Sequence, residues 1–157
     1  MTDGRTESDI NFLSEKMKYK KLSNGFFLRL ISGENVLEKL SEFCEKEKIN
    51  SGSLSGIGAL SKAEIGHFSV EKKEYETKTF EEELEVLAFE GNISLKEGKP
   101  FVHAHVTLGK KDFSLVGGHF VSGIVGATLE LFLHNSEFVV ARKKEESGLF
   151  LLDLQLI

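Results

Sequence analysis

Between Phe101 and Gly109 the chain alternates in chemistry at every step. Positions 102, 104, 106 and 108 are Val, Ala, Val and Leu, whereas 103, 105 and 107 are His, His and Thr. Successive side chains of a strand leave on opposite faces, so this pattern fits a half-buried β-strand and does not fit a helix. One face must pack on a core, and the other carries two imidazoles. The segment Phe113 to Val121 reads as a second strand and carries Gly117-Gly118-His119. With Lys110-Lys111-Asp112 as a three-residue hairpin loop, Gly109 faces Phe113, His105 faces Gly117 and His103 faces His119. Directly opposed residues share a face, with Cβ atoms about 4.5–5.5 Å apart. All three imidazoles then converge. A loop longer or shorter by one residue would send His119 to the other side. Gly117 opposite His105 leaves room for an ion or ligand.

The remainder is mostly strand. Tyr19 to Ile31, interrupted by Ser23-Asn24-Gly25, reads as a hairpin, because Asn-Gly between extended runs supplies the backbone of a tight turn. One strong helix follows, at about residues 35–48. Val36, Leu37, Leu40, Phe43 and Cys44 recur at helical spacing, with Ser32 or Asn35 as its cap and Ile49-Asn50-Ser51-Gly52 as its end. Ser53 to Phe68, Leu84 to Leu95, Ala127 to Leu133, Phe138 to Arg142 and Leu149 to Leu156 are further strand candidates. Glu71 to Glu85, with seven acidic and three basic residues, reads as a solvated hairpin or loop. The expectation is an α+β fold, an antiparallel-rich mixed sheet with one main helix. Residues 1–16 form a weakly ordered N-terminus, and 17–157 form a single domain.

Bulk composition removes several function classes. A net charge of −5 counts against DNA as a direct high-affinity partner, since phosphate binding rests on clustered Lys and Arg. A lone cysteine, Cys44, allows neither an internal disulfide nor a four-cysteine zinc site, and its helical setting marks a buried apolar residue. No run approaches the roughly 20 apolar residues a membrane span needs. The polar start of the chain has no signal-like apolar stretch, so the cytoplasm is the expected location.

Three imidazoles suit a divalent metal, zinc above all, with Cu²⁺, Ni²⁺ and Fe²⁺ also accommodated. Three protein ligands leave a position open, as catalytic zinc sites do. Glu85, Glu90 and Glu130 are the acid/base candidates, and Arg29 is the candidate for a small anionic ligand. Their spacing ties none of them to the histidines. His67 and His134 fit no ligand pattern and read as surface or packing residues.

Several landmarks together resemble the PPC domain, named for its occurrence in plants and prokaryotes. They run in order as Leu28-Arg29-Leu30, Gly33-Glu34, Ser55-Gly56-Ile57-Gly58-Ala59, Leu87-Ala88-Phe89-Glu90-Gly91-Asn92-Ile93, His103-Ala104-His105, Gly117-Gly118-His119 and Thr128-Leu129-Glu130. The resemblance spans roughly Lys18 to Leu154. It implies an α+β homotrimer in which His103, His105 and His119 sit where some prokaryotic members hold a metal. In plants the domain follows an AT-hook, whereas Gly4-Arg5-Thr6 is no such hook here. The plant DNA-binding activity therefore does not carry over. Three functions follow: a metal-binding oligomeric domain with a binding or regulatory role, a metal-dependent hydrolase or lyase, and a DNA-associated regulator. The first is preferred, because no nucleophile or substrate-anchoring motif is present.

Overall fold

The computed structural model describes residues 17–154. The expectation for the N-terminal 16 residues, and the end of the Leu149–Leu156 strand, fall outside them. The described residues form nine strands and one helix in the order β1 Lys18–Leu22, β2 Gly25–Ile31, α1 Val36–Lys46, β3 Gly52–Ser69, β4 Glu74–Phe80, β5 Leu84–Lys96, β6 Lys99–Gly109, β7 Leu115–Asn135, β8 Arg142–Lys144 and β9 Phe150–Leu152.

The main sheet runs β1-β2-β7-β6-β5-β3-β4, and a further β7–β3 pairing closes β3, β5, β6 and β7 into a ring. The closure depends on the length of β7. Its first residues pair with β6, His119 onward pairs with β3, and Thr128–His134 also pair with β2. Every ladder is antiparallel, and the one parallel pairing among the described residues is the isolated Leu95↔Ala141 bridge. The expected mixed sheet is therefore antiparallel throughout its ladders. Register shifts near Gly58, Leu60 and Ile65 bend β3 around the ring.

Inward-facing residues form the core: Leu54, Leu60, Phe89, Val106, Leu108, Phe120 and Leu129 are all buried. Helix α1 packs against β6 and β7, burying Val36, Leu40, Phe43 and Cys44. Asn35 is its cap, accepting from the Glu38 amide at 3.2 Å. The helix ends earlier than Ile49-Asn50-Ser51-Gly52. Lys48 takes the left-handed conformation (φ 56°), while the Ile49 amide donates to Cys44 O and the Lys48 amide to Glu45 O, a Schellman closure. Burial pushes the Cys44 thiol up to about 12, which leaves it an inert packing group.

Two strand expectations change. The runs Phe113 to Val121 and Ala127 to Leu133 join in one continuous strand, because Gly123 leaves room for the Phe120 ring and Gly126 lets β7 pass close to the β3 backbone. A Cβ on Gly126 would lie 3.1 Å from the Leu60 carbonyl carbon. The Phe138–Arg142 segment is not a strand before Arg142; it is tied down by the Leu95 amide donating to Val140 O at 2.8 Å and the Asp153 amide donating to Ala141 O at 2.9 Å. The acidic Glu71–Glu85 region is a solvated hairpin arm as expected, with β4 exposed up to Phe80. Its charges shield an edge strand, Lys72 pairing with Glu76 and Lys62 with Glu81. Among the described residues no helix is long and apolar enough to cross a membrane.

Candidate metal centre

The alternation in β6 holds. Val102, Ala104, Val106 and Leu108 are buried, and His103, His105 and Thr107 leave on the opposite face. The hairpin register differs from the expectation by two residues. His105, not His103, pairs with His119, and Thr107 pairs with Gly117. The loop is longer than Lys110-Lys111-Asp112: Gly109 pairs with Leu115, leaving five residues between. The Lys110 amide donates to Ser114 O at 2.9 Å, the Phe113 amide to Lys110 O at 2.8 Å, and Phe113 sits at φ 64°. Asp112 stabilises this wider turn by accepting from the Ser114 amide at 3.0 Å. An even shift conserves side-chain parity, so His119 still joins the other two.

The rings are close. Centroids are 5.2 Å apart for His103–His105, 5.1 Å for His103–His119 and 5.5 Å for His105–His119. One ligand nitrogen from each lies within 4.8 Å of the other two. Nitrogens bound tetrahedrally at about 2.0–2.1 Å sit roughly 3.3 Å apart, a gap that modest ring rotations close. His119 Nδ1 is buried without a hydrogen-bond partner, the sole such side-chain atom among the described residues. An unpartnered buried nitrogen on a ring that clusters with two other imidazoles is the kind of donor a cation would satisfy. The donor set therefore fits zinc or another borderline divalent ion.

Burial, then the charge of Arg142 and the neighbouring imidazoles, lowers the His103 pKa to about 4. Burial, then His105, lowers that of His119. Both rings are neutral at pH 7, as metal ligation requires. Because the folded values lie below the unfolded one, these rings favour the folded state above about pH 6.5, and that contribution is lost as the pH falls toward 4. The metal-free protein is expected to melt at progressively lower temperature from pH 7 to 4.5. His103→Gln should flatten part of that slope; an unchanged slope in the variant would show that the ring carries none of it. Solvent screening at these partly exposed rings moderates the effect.

The other candidates separate. Glu90 pairs directly with His105 across β5–β6 and lines the same shallow depression with Thr107 and Gly117. Glu85 opposes Gly109 and lines a groove of about 810 Å³ with Leu87 and Phe113. Arg29 and Glu130 oppose one another across β2–β7, away from the histidines. His67 and His134 are exposed and outside the cluster. Three contributors escaped sequence reasoning. Tyr75 lies against His119 at 4.8 Å, Asn92 pairs with His103, and Arg142 donates to Asn92 at 2.6 Å. Period-two spacing from Glu90 signals Asn92, but Tyr75 and Arg142 arrive by long-range pairing that leaves no local trace.

A model of the Plants and Prokaryotes Conserved (PCC) domain matches residues 17–137. A solved metal-containing protein from Archaeoglobus fulgidus is 38% identical, covering 89% of this chain and 99% of that one, with a TM-score of 0.78. A plant- and prokaryote-conserved protein from Pyrococcus horikoshii is 33% identical over 92% of this chain and 99% of its own, TM-score 0.79. A provisionally labelled DNA-binding protein from Bacteroides thetaiotaomicron is 30% identical over 88% and 98%, TM-score 0.85. No curated protein matches significantly. With most of its length matched by the family model, the chain belongs to the Plants and Prokaryotes Conserved (PCC) domain family, the PPC domain its sequence resembles.

Proposed function

We propose that this protein is a metal-binding PPC domain that works as a homotrimer in a binding or regulatory role, with zinc as its ion. The observation that carries the reading is the convergence of His103, His105 and His119, with Nδ1 of His119 buried and unpartnered. The similarity to a metal-containing protein from Archaeoglobus fulgidus supports it. Self-association is supported by Leu87, Phe113 and Leu115, 50%, 92% and 61% exposed, which border one groove and so expose apolar surface together. The number three comes from the family resemblance.

When bound, the ion would supply Lewis acidity at its open position. Glu90, whose pairing with His105 puts it on the same face, would be the residue to hold or move a proton there. That placement keeps a hydrolase or lyase activity as the alternative. The other reading, association with DNA, is favoured by the label of the Bacteroides thetaiotaomicron protein. The net charge of −5 works against it, and duplex retardation that collapses steeply with salt would mark it.

Metal analysis of the purified protein, joined to a crystal structure with anomalous scattering, tests the main reading. One divalent ion per chain on His103, His105 and His119 is expected. An ion seated elsewhere, or none after incubation with zinc, would overturn it.

A further inference from the structure

Arg142 is a partly buried cation joined through Asn92 to the His103 end of the imidazole cluster. Its Nε donates to Ser94 Oγ at 2.7 Å, its Nη1 to the Phe150 carbonyl at 2.9 Å and its Nη2 to Asn92 Oδ1 at 2.6 Å. The Phe101 ring lies 5.3 Å from its Cζ. All three acceptors are neutral, and among the described residues no carboxylate is paired with it. A guanidinium has five N–H groups in a fixed fork. Three are engaged, which leaves one on each terminal nitrogen. Asn92 pairs with His103, so the fork is fixed at the His103 side of the cluster.

This placement opposes the binding of a bare cation. A dication held by neutral imidazoles and a nearby guanidinium repel each other, and partial burial strengthens the repulsion. Such a centre becomes favourable when negative charge joins it. Glu90 supplies one carboxylate, but on the His105 side. Nothing among the described residues supplies one on the Arg142 side. Arginine's planar fork matches a carboxylate in geometry as well as charge.

We propose that the metal centre takes a small carboxylate ligand, held jointly by the ion and by the two free N–H groups of Arg142. This rests on the metal reading above. Arg29, the sequence-level candidate for an anion, faces Glu130 instead, so the role moves to Arg142.

Cobalt(II) in place of zinc reports the coordination by its visible spectrum. Wild type, Arg142→Gln and Asn92→Asp would each be loaded with cobalt and titrated with acetate and, separately, inorganic phosphate. Asn92→Asp keeps the arginine but puts a carboxylate on its fork, so it guards against a folding defect in Arg142→Gln. One cobalt per chain is expected in all three, with a saturable acetate response in wild type. Both variants should need at least about tenfold more acetate, as loss of a charge-assisted hydrogen bond implies. Equal acetate responses in wild type and Asn92→Asp would overturn the proposal. So would a phosphate response with none to acetate. Cobalt binding without any anion response sinks this inference and spares the metal reading, whereas no cobalt in wild type removes both.

Discussion

His119→Ala is expected to yield a folded chain that has lost its metal. The three imidazoles come from two strands, and His119 is the only one supplied by β7. Its removal leaves two ligands on β6. Loss of a group that merely orients a ligand costs about 10–100-fold in metal affinity, so loss of a ligand should exceed a hundredfold. The stability of the metal-free form should move the other way. Nδ1 of His119 is buried without a partner, and an unsatisfied buried acceptor costs about 1–3 kcal/mol, so alanine relieves that penalty. The tilted ring contact with Tyr75 is lost in exchange. The metal-free variant should therefore melt within a few degrees of wild type. Zinc at a hundred times its dissociation constant should stabilise wild type by about 2.7 kcal/mol and leave the variant unmoved. Calorimetry with and without zinc checks both halves. A variant that still gains stability from zinc would show that the ion sits elsewhere.

Much of this site was legible because strand chemistry has period two. In β6 the alternation assigns faces without knowledge of any partner strand, and the assignment holds. The convergence of His119 was also legible, although the argued register was off by two. Loop length in a hairpin is not written in its apolar pattern when the loop itself is polar. Ser114 was counted as strand and instead closes the turn with Asp112. Parity saved the conclusion, since only an odd error would have reversed the face. The ring closure by β7 was not legible. Gly123 and Gly126 separate two apolar runs in the sequence, yet one makes room for the Phe120 ring and the other lets β7 pass close to β3. In the sequence Arg142 merely ends the Phe138–Arg142 strand candidate. Its significance lies in partners roughly fifty residues away, Ser94 and Asn92, which no local pattern connects to it. The helix was the simplest case, since its cap, apolar stripe and burial all agree.

Phe89→Ala should be among the most destabilising single changes in the chain while leaving the metal ligands intact. Phe89 is fully buried inside the ring. It pairs with Gly56 on one side and Val106 on the other, and meets Phe120 edge-on with centroids 5.2 Å apart. Gly56 cannot fill the void, because a Cβ there would run into Glu130 O and lie 2.9 Å from Leu131 Cα. A closed ring also resists collapse, since each strand is hydrogen-bonded on both sides. The cavity should persist, and the cost should fall at about 3–5 kcal/mol, a large share of the roughly 5–15 kcal/mol that holds a domain together. At about 2–4 °C per kcal/mol for a chain of this size, the melting temperature should fall by roughly 10 °C. Phe113→Ala is the control: at 92% exposure it should change a single chain's stability by less than about 0.5 kcal/mol. Glu90 and His105 lie on the outer side of the strands that Phe89 and Val106 line within, so their register should survive and zinc should still bind stoichiometrically to the folded variant. A loss of zinc binding in folded Phe89→Ala would mean that core packing, rather than strand register alone, holds the imidazoles together. A fall of less than about 1 kcal/mol would mean that the ring relaxes around the void as an open sheet would.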